Sequence, residues 1–171
     1  EEKYKEILSS GNDTDLSEFL DQQNISEVAE LIYANEEEET RIFTRMSIHR
    51  ATRVFKILEH PTQKRIIKNL PPNKSAELLN ELQPDDRTDF FEELPNEVLR
   101  ELIKTLSPEE RKITLELLGY PENSVGRLMN PDYIYVYEYN TVAEVLDNIR
   151  EVGKNTETID AIYVINKHGE L

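Results

Sequence analysis

Asp85 and Asp89 are four positions apart, with Asp86 beside the first of them. On a helix, residues four apart share one face, with Cβ atoms ~6 Å from each other. Two carboxylates so placed offer the oxygen donors that hard divalent cations take, with water completing the shell. Asp86 would point to another face. Glu97 and Glu101 repeat the spacing one unit later and form a weaker candidate pair. The same acids have a plainer reading. Asp85 and Asp86 follow Pro84, and acids in a first helical turn are favoured by the helix dipole whether or not they hold an ion. The residues alone leave both readings open.

Other chemistries are easier to set aside. There is no Cys, so disulfides, zinc–thiolate sites and thiol catalysis are excluded. His49, His60 and His168 are scattered and read as surface or cap residues. No Gly-rich phosphate loop, nucleophile elbow or His–Glu metal motif is present. Paired acids with neither a His partner nor a pocket signal do not make a hydrolase, so catalysis is not expected. The net charge of −15 repels nucleic acid, whose binding needs clustered Lys and Arg, and attracts cations. The charge is uneven: residues 34–118 carry seventeen acids against fourteen bases, while residues 1–33 carry nine against two and residues 119–171 nine against four. The run Glu36 to Glu39 reads as a solvated helix start.

The elements that must position the acids follow a twelve-residue period. Leu58, Leu70, Leu82, Leu94, Leu106 and Leu118 mark it, and Met46 and Ala34 extend it backward. Eight and nine positions into each unit comes an apolar pair: Ile42-Phe43, Val54-Phe55, Ile66-Ile67, Leu78-Leu79, Phe90-Phe91 and Leu102-Ile103, with only Leu115 in the last unit. From Leu58 on, Pro61, Pro71, Pro72, Pro84, Pro95 and Pro108 fall near the unit starts. Pro suits a first helical turn and interrupts the helix before it. Each unit is therefore a turn followed by a helix of about nine residues, ~14 Å long, too short to be stable alone. Stacking of neighbours must bury the apolar pairs. The expected fold is mainly α, a superhelical, armadillo-like array of short stacked helices with repeats over 34–117. Ser107 reads as the cap of the Pro108 helix. Ahead of the repeats, a helix is expected over Ile25 to Ile32 with Ser26 as its cap, and an earlier one near Asp15 to Leu20.

The pattern changes after Gly119, a plausible C-cap. Asp132 to Tyr137 and Ala161 to Ile165 read as strands. Between them Val142, Val145, Leu146 and Ile149 mark a helix capped by Asn140-Thr141. Asn166 to Gly169 is a turn that should lead to a third strand, but the chain ends at Leu171. Two strands and a helix cannot bury their own core, so this second unit is expected to be incomplete. The chain also starts without Met, and Glu1-Glu2-Lys3-Tyr4-Lys5 lacks the basic and apolar stretches of a signal peptide; a piece of a longer protein is expected. No apolar run approaches the ~20 residues of a membrane helix.

Ser124-Val125-Gly126-Arg127-Leu128-Met129 followed by Pro131-Asp132-Tyr133 resembles the junction between the N-domain and the first CBS domain of MgtE-type magnesium transporters. Thr141 to Leu146 looks like the first CBS helix and Ile162 to Ile165 with Gly169 like the next strand and turn; the twelve-residue units resemble the family's N-domain. The resemblance covers residues 16–171. It implies a helical N-domain over 1–120, a linker over 121–131 and an incomplete first CBS module, α/β in class, over 132–171. It also implies a cytosolic magnesium-sensing region of a dimeric magnesium channel or transporter in the cell (inner) membrane. Mg²⁺ would be the bound ion, and the remaining CBS and transmembrane domains the partners. By the same resemblance, Asp85 and Asp89 would be N-domain ligands facing the CBS domain. Arg53 falls near the place where some members carry a third carboxylate, and a cation there would weaken a local Mg²⁺ site or replace it with a salt bridge. An interaction scaffold like the helical domains of flagellar motor-switch proteins is the alternative, against which the CBS-like opening argues.

Overall fold

The computed structural model describes residues 4, 7, 11–153, 159 and 161–171. From Asp13 on, the described residues form nine short helices of seven to twelve residues: α1 (Asp13–Gln22), α2 (Ile25–Ala34), α3 (Glu39–Arg45), α4 (Ile48–Phe55), α5 (His60–Asn69), α6 (Pro72–Glu81), α7 (Pro84–Glu92), α8 (Asn96–Thr105) and α9 (Pro108–Gly119). A single turn, α10 (Val125–Leu128), leads into β1 (Ile134–Tyr137), α11 (Val142–Val152) and β2 (Ile162–Ile165). The strands pair in parallel with Ile134 opposite Ile162, so α11 is a βαβ crossover.

The repeat positions behave as their physics requires. Pro61, Pro72, Pro84 and Pro108 occupy first turns, where the missing N–H costs nothing. Leu70, Leu82 and Leu106 sit immediately after their helices and are buried. The apolar pairs from Ile42-Phe43 to Phe90-Phe91 line one continuous core. Rings from separate units meet edge to face there, Phe43 on Phe55 at 6.3 Å and Phe55 on Phe90 at 5.3 Å, a geometry favoured by the ring quadrupoles. Several of the closest contacts join next-but-one helices: α1 with α3, α2 with α4, α3 with α5, α4 with α6 and α7 with α9. The array thus alternates sides around a shared core.

A second use of the period concerns the helix ends. The last carbonyls of a helix have no intrahelical partner. Gln63 Nε2 donates to the Phe55 carbonyl at 2.8 Å, Ser75 Oγ to Ile67 at 3.2 Å, Arg87 Nη1 to Leu79 at 3.1 Å and Arg111 Nε to Ile103 at 3.1 Å. Every one of these bonds reaches back eight residues, and the donors are separated by twelve, twelve and twenty-four residues. A side chain in one helix therefore closes the end of an earlier one. Arg87 and Arg111 each take a further carbonyl five residues back, at Leu82 and Leu106.

Four expectations need correction. In the last unit the exposed residue is Leu115, at 50%. Its neighbour Thr114 turns inward, where its hydroxyl accepts from Arg87 Nε at 2.8 Å; a buried guanidinium needs an acceptor, which a leucine lacks. Gly119 is the last residue of α9 and the cap is Tyr120, in an extended conformation, so no left-handed glycine ends the array. The cap of α2 is Asn24, in a reciprocal box with Glu27, rather than Ser26. The acidic run is only partly solvated: Glu36 to Glu38 form a 3-10 turn, but Glu39 is buried and bonded to Arg65 at 2.8 Å and Asn69 at 3.3 Å. Neutralisation by α5 makes burying this carboxylate tolerable. The Ser107 cap is as expected, accepting from the Glu110 N–H.

Arg87 is fully buried, with bonds to Leu79, Leu82, Thr114 and Glu110. Removing one member of a buried charge pair strands the rest, at about 3–5 kcal/mol. Arg87→Ala is expected to lower the melting temperature by about 10 °C in thermal unfolding. Arg111→Ala, which removes a half-buried donor, should cost about 1 kcal/mol. Equal, small losses for both would show that burial of Arg87 does not hold the array.

Candidate metal and junction site

Helix α7 carries the acids. Its inward face is Arg87, Thr88, Phe90 and Phe91, all buried, and Thr88 Oγ1 ties back to the Pro84 carbonyl at 2.7 Å. That registration leaves Asp85, Asp89 and Glu92, at i, i+4 and i+7, as one outward stripe. The stripe runs beside the chain segment that leaves the array. Asn130 Nδ2 donates to Asp85 Oδ1 at 3.1 Å and approaches Gln83 Oε1 at 3.4 Å. Arg127 Nε lies 2.8 Å from Glu92 Oε1, with only 11% of the arginine side chain exposed. Asp89 is more open, its side chain 67% exposed, with His60 Nε2 at 3.6 Å.

The remaining candidates lie elsewhere. Asp86 faces the array and pairs with Lys56 at 3.3 Å. Glu97 and Glu101 are exposed on α8, and Glu101 pairs with Lys104 at 2.6 Å. Arg53 is exposed on α4, one turn before Lys56, and has no ion pair among the described residues. Also among the described residues, no group of three or more His, Asp or Glu side chains could hold a metal ion. Asp85 and Asp89 are thus at most a half-site of two carboxylates.

The junction was only partly legible. Gly126, Arg127 and Asn130 stood in the motif, but their partners lie far away in sequence. A Cβ on Gly126 would stand 2.6 Å from the Tyr120 ring, so only glycine allows the turn of α10 to lie against that ring. Glu92 could have been found as the i+7 member of the stripe; the bond from Asn130 back to Asp85 spans 45 residues and leaves no local signal. Asn130 Oδ1 also accepts the Asp132 N–H at 2.9 Å, an Asx turn that aims the chain into β1. The Asp132 carboxyl is pushed above the usual range by partial burial and by the negative charges of Glu110 and Asp85, with Arg87 opposing.

The model of the MgtE intracellular N domain matches residues 14–123, the length of the helical array. The chain belongs to this family. The magnesium transporter MgtE of Thermus thermophilus is 41% identical over 66 residues, 39% of this chain and 15% of its own length. MgtE of Bacillus subtilis is 28% identical over 69 residues, 40% of this chain and again 15% of its own. The chain therefore matches only a small part of these relatives. Among solved structures, the cytosolic domain of the Mg²⁺ channel MgtE in complex with ATP superposes with a TM-score of 0.88 at 31% identity, covering 98% of this chain and 69% of that one. The soluble part of a magnesium transporter gives 0.84 at 21% identity, covering 95% and 64%, which shows the fold. The MgtE likeness thus runs through the βαβ unit as well as the array. No helix among the described residues is long and apolar enough to cross a membrane.

The raised carboxyl of Asp132 has a consequence with a definite sign. Between its unfolded and its higher folded pKa the folded protein binds more protons, so stability rises as pH falls through that window. Asp132→Asn, which removes the charge, is expected to melt higher than the parent at neutral pH. The gap should close as pH falls through the carboxylate range. A variant that melts no higher at pH 7 would contradict the crowding of charge around this residue.

Proposed function

We propose that this chain is the magnesium-sensing, cytoplasmic part of a magnesium transporter or channel in the cell (inner) membrane, and that it regulates ion passage. In this reading residues 1–120 are the N-domain, 121–131 the linker and 132–171 the opening of the first CBS domain. The supporting observation is the α7 stripe, which sets Asp85 against the segment leading into the βαβ unit with the exposed Asp89 one turn on, in a chain similar to an MgtE cytosolic domain across 98% of its length.

The donor set suits the ion. Mg²⁺ keeps several waters and takes one or two carboxylates, and Asp85 and Asp89 are carboxylates with solvent access. Asp86, tied to Lys56, and Glu101, tied to Lys104, fit less well; Glu97 lies on α8, away from the stripe. The remaining ligands would come from water and from the CBS and transmembrane domains, or the second subunit of a homodimer. Bound there, the ion supplies the positive charge that lets two acidic surfaces approach.

The chain's own part is electrostatic. Its −15 charge makes approach of another acidic domain unfavourable, and the outward stripe concentrates that charge at the junction. Closure is favoured only by the difference in ion affinity between the two arrangements. The role is regulatory and non-catalytic.

Calorimetric Mg²⁺ titration of the full-length protein tests the assignment. Asp85→Ala and Asp89→Ala are each expected to weaken a regulatory site by about tenfold or more, ~1.4 kcal/mol, while Glu97→Ala leaves it unchanged. Titrations in which both Asp variants match the parent would remove these residues from the site.

A further inference from the structure

We propose that His60 and Asp89 are the protein ligands of a second cation site, one for a transition-metal dication of the zinc class, bound through one nitrogen and one oxygen. It shares Asp89 with the magnesium site proposed above and does not rest on that reading.

The orientation of the imidazole is set from the end of α4. Gln63 Nε2 donates to the Phe55 carbonyl at 2.8 Å, which fixes which way round the buried Gln63 amide stands. Its Oε1 is thereby turned to His60 Nδ1, 3.1 Å away. An amide oxygen only accepts, so Nδ1 carries the proton, and in the neutral ring Nε2 keeps a lone pair. Nε2 is the nitrogen that faces Asp89, with Oδ2 at 3.6 Å. A histidine whose one N–H is tied to an oxygen while the other nitrogen stands open is arranged as metal-ligating histidines are, with the outer partner fixing tautomer and ring.

The spacing of the pair selects the ion. At 3.6 Å the two atoms are too far apart for a hydrogen bond; a charge-assisted one would draw them to ~2.7–2.9 Å. Two ligands of one tetrahedral ion with bonds of ~2.0–2.2 Å stand ~3.3–3.6 Å apart, whereas neighbouring ligands of an octahedral Mg²⁺ with bonds of ~2.0–2.1 Å stand ~2.9 Å apart. Ligand chemistry agrees, since imidazole suits zinc, nickel and copper while Mg²⁺ takes oxygen. The surroundings leave room for an ion. The Asp89 side chain is largely exposed and that of His60 partly so, so water reaches both. On either side Lys56 is paired with Asp86 and Lys64 with Glu93, each at 3.3 Å, so the flanking lysines are offset by acids of their own. Among the described residues no third His, Asp or Glu joins the pair. Water fills the remaining positions, and binding is expected to be weaker than at a closed zinc site with four protein ligands. An ion so held bridges the start of α5 to the outward face of α7.

Separate Zn²⁺ and Mg²⁺ titrations of the full-length protein by calorimetry test this. His60→Ala is expected to weaken one Zn²⁺ site about tenfold or more without weakening Mg²⁺ binding, because only the zinc-class ion gains from the nitrogen. Asp89→Asn should weaken the same Zn²⁺ site. The double variant should lose little beyond the larger single loss, because both changes act on one site. Zn²⁺ affinity unchanged in either single variant overturns the site. Zn²⁺ and Mg²⁺ weakened alike by His60→Ala also overturns it, and leaves His60 a structural neighbour of Asp89. Mg²⁺ binding indifferent to Asp89→Asn, with the Zn²⁺ site lost in both single variants, overturns the magnesium role of Asp89 and upholds the zinc-class site.

Discussion

The array depends on closing the carbonyl ends of helices too short to stand alone. A helix of nine or ten residues exposes nearly as many unpaired carbonyls as it satisfies internally. Here the following units supply the missing donors, from Gln63, Ser75, Arg87 and Arg111, each to the carbonyl eight residues back. The apolar pairs bury area, which is non-directional. The donor ladder adds direction, because a hydrogen bond specifies which helix follows at which angle. Arg87 is where the two coincide: fully buried, it joins α6, α7 and α9 through Leu79, Thr114 and Glu110.

That anchorage also sets which side of α7 faces outward. With Arg87, Thr88, Phe90 and Phe91 locked inward, α7 cannot rotate, and Asp85, Asp89 and Glu92 must face out. In the function proposed above, two carboxylates on one helix would need no cage of their own, because Mg²⁺ accepts water for most of its shell. The same rigidity gives the junction a fixed wall to lean on. Arg127 and Asn130 lie against the stripe, and Gly126 lets the α10 turn lie against Tyr120. The motif that marks the family resemblance is in physical terms a clip, with Gly126, Arg127 and Asn130 each answering to a partner outside it.

The βαβ unit is stabilised differently. Among its described residues Ile134 and Val136 are the buried apolar ones, while Tyr133, Tyr135, Val142, Leu146 and Tyr163 are exposed. Parallel strands commonly lie in sheets covered on both faces, whereas these residues leave apolar and aromatic surface of the unit exposed. The contrast with the array is one of contact range: each short helix finds its partners within two or three units, while a parallel sheet finds them only across a crossover.

Composition and spacing determined a good deal here. The twelve-residue period, with Pro in first turns and paired apolar residues, dictates short stacked helices, since no other element uses that spacing with Pro so placed. The change after Gly119 to β-branched and aromatic runs dictates the strands, and the fourfold step from Asp85 to Asp89 dictates their shared face. These are local consequences of backbone geometry. Tertiary structure decided which residue of a pair enters the core and which partner each acid meets. Thr114 rather than Leu115 turns inward because Arg87 needs an oxygen; Glu39 is buried because Arg65 and Asn69 reach it from α5; Asp86 is spent on Lys56 while Asp85 meets Asn130 across 45 residues. Such outcomes depend on partners brought together by the stacking, and a polar side chain's place in a fold is set by the partner that satisfies it, which no local spacing records.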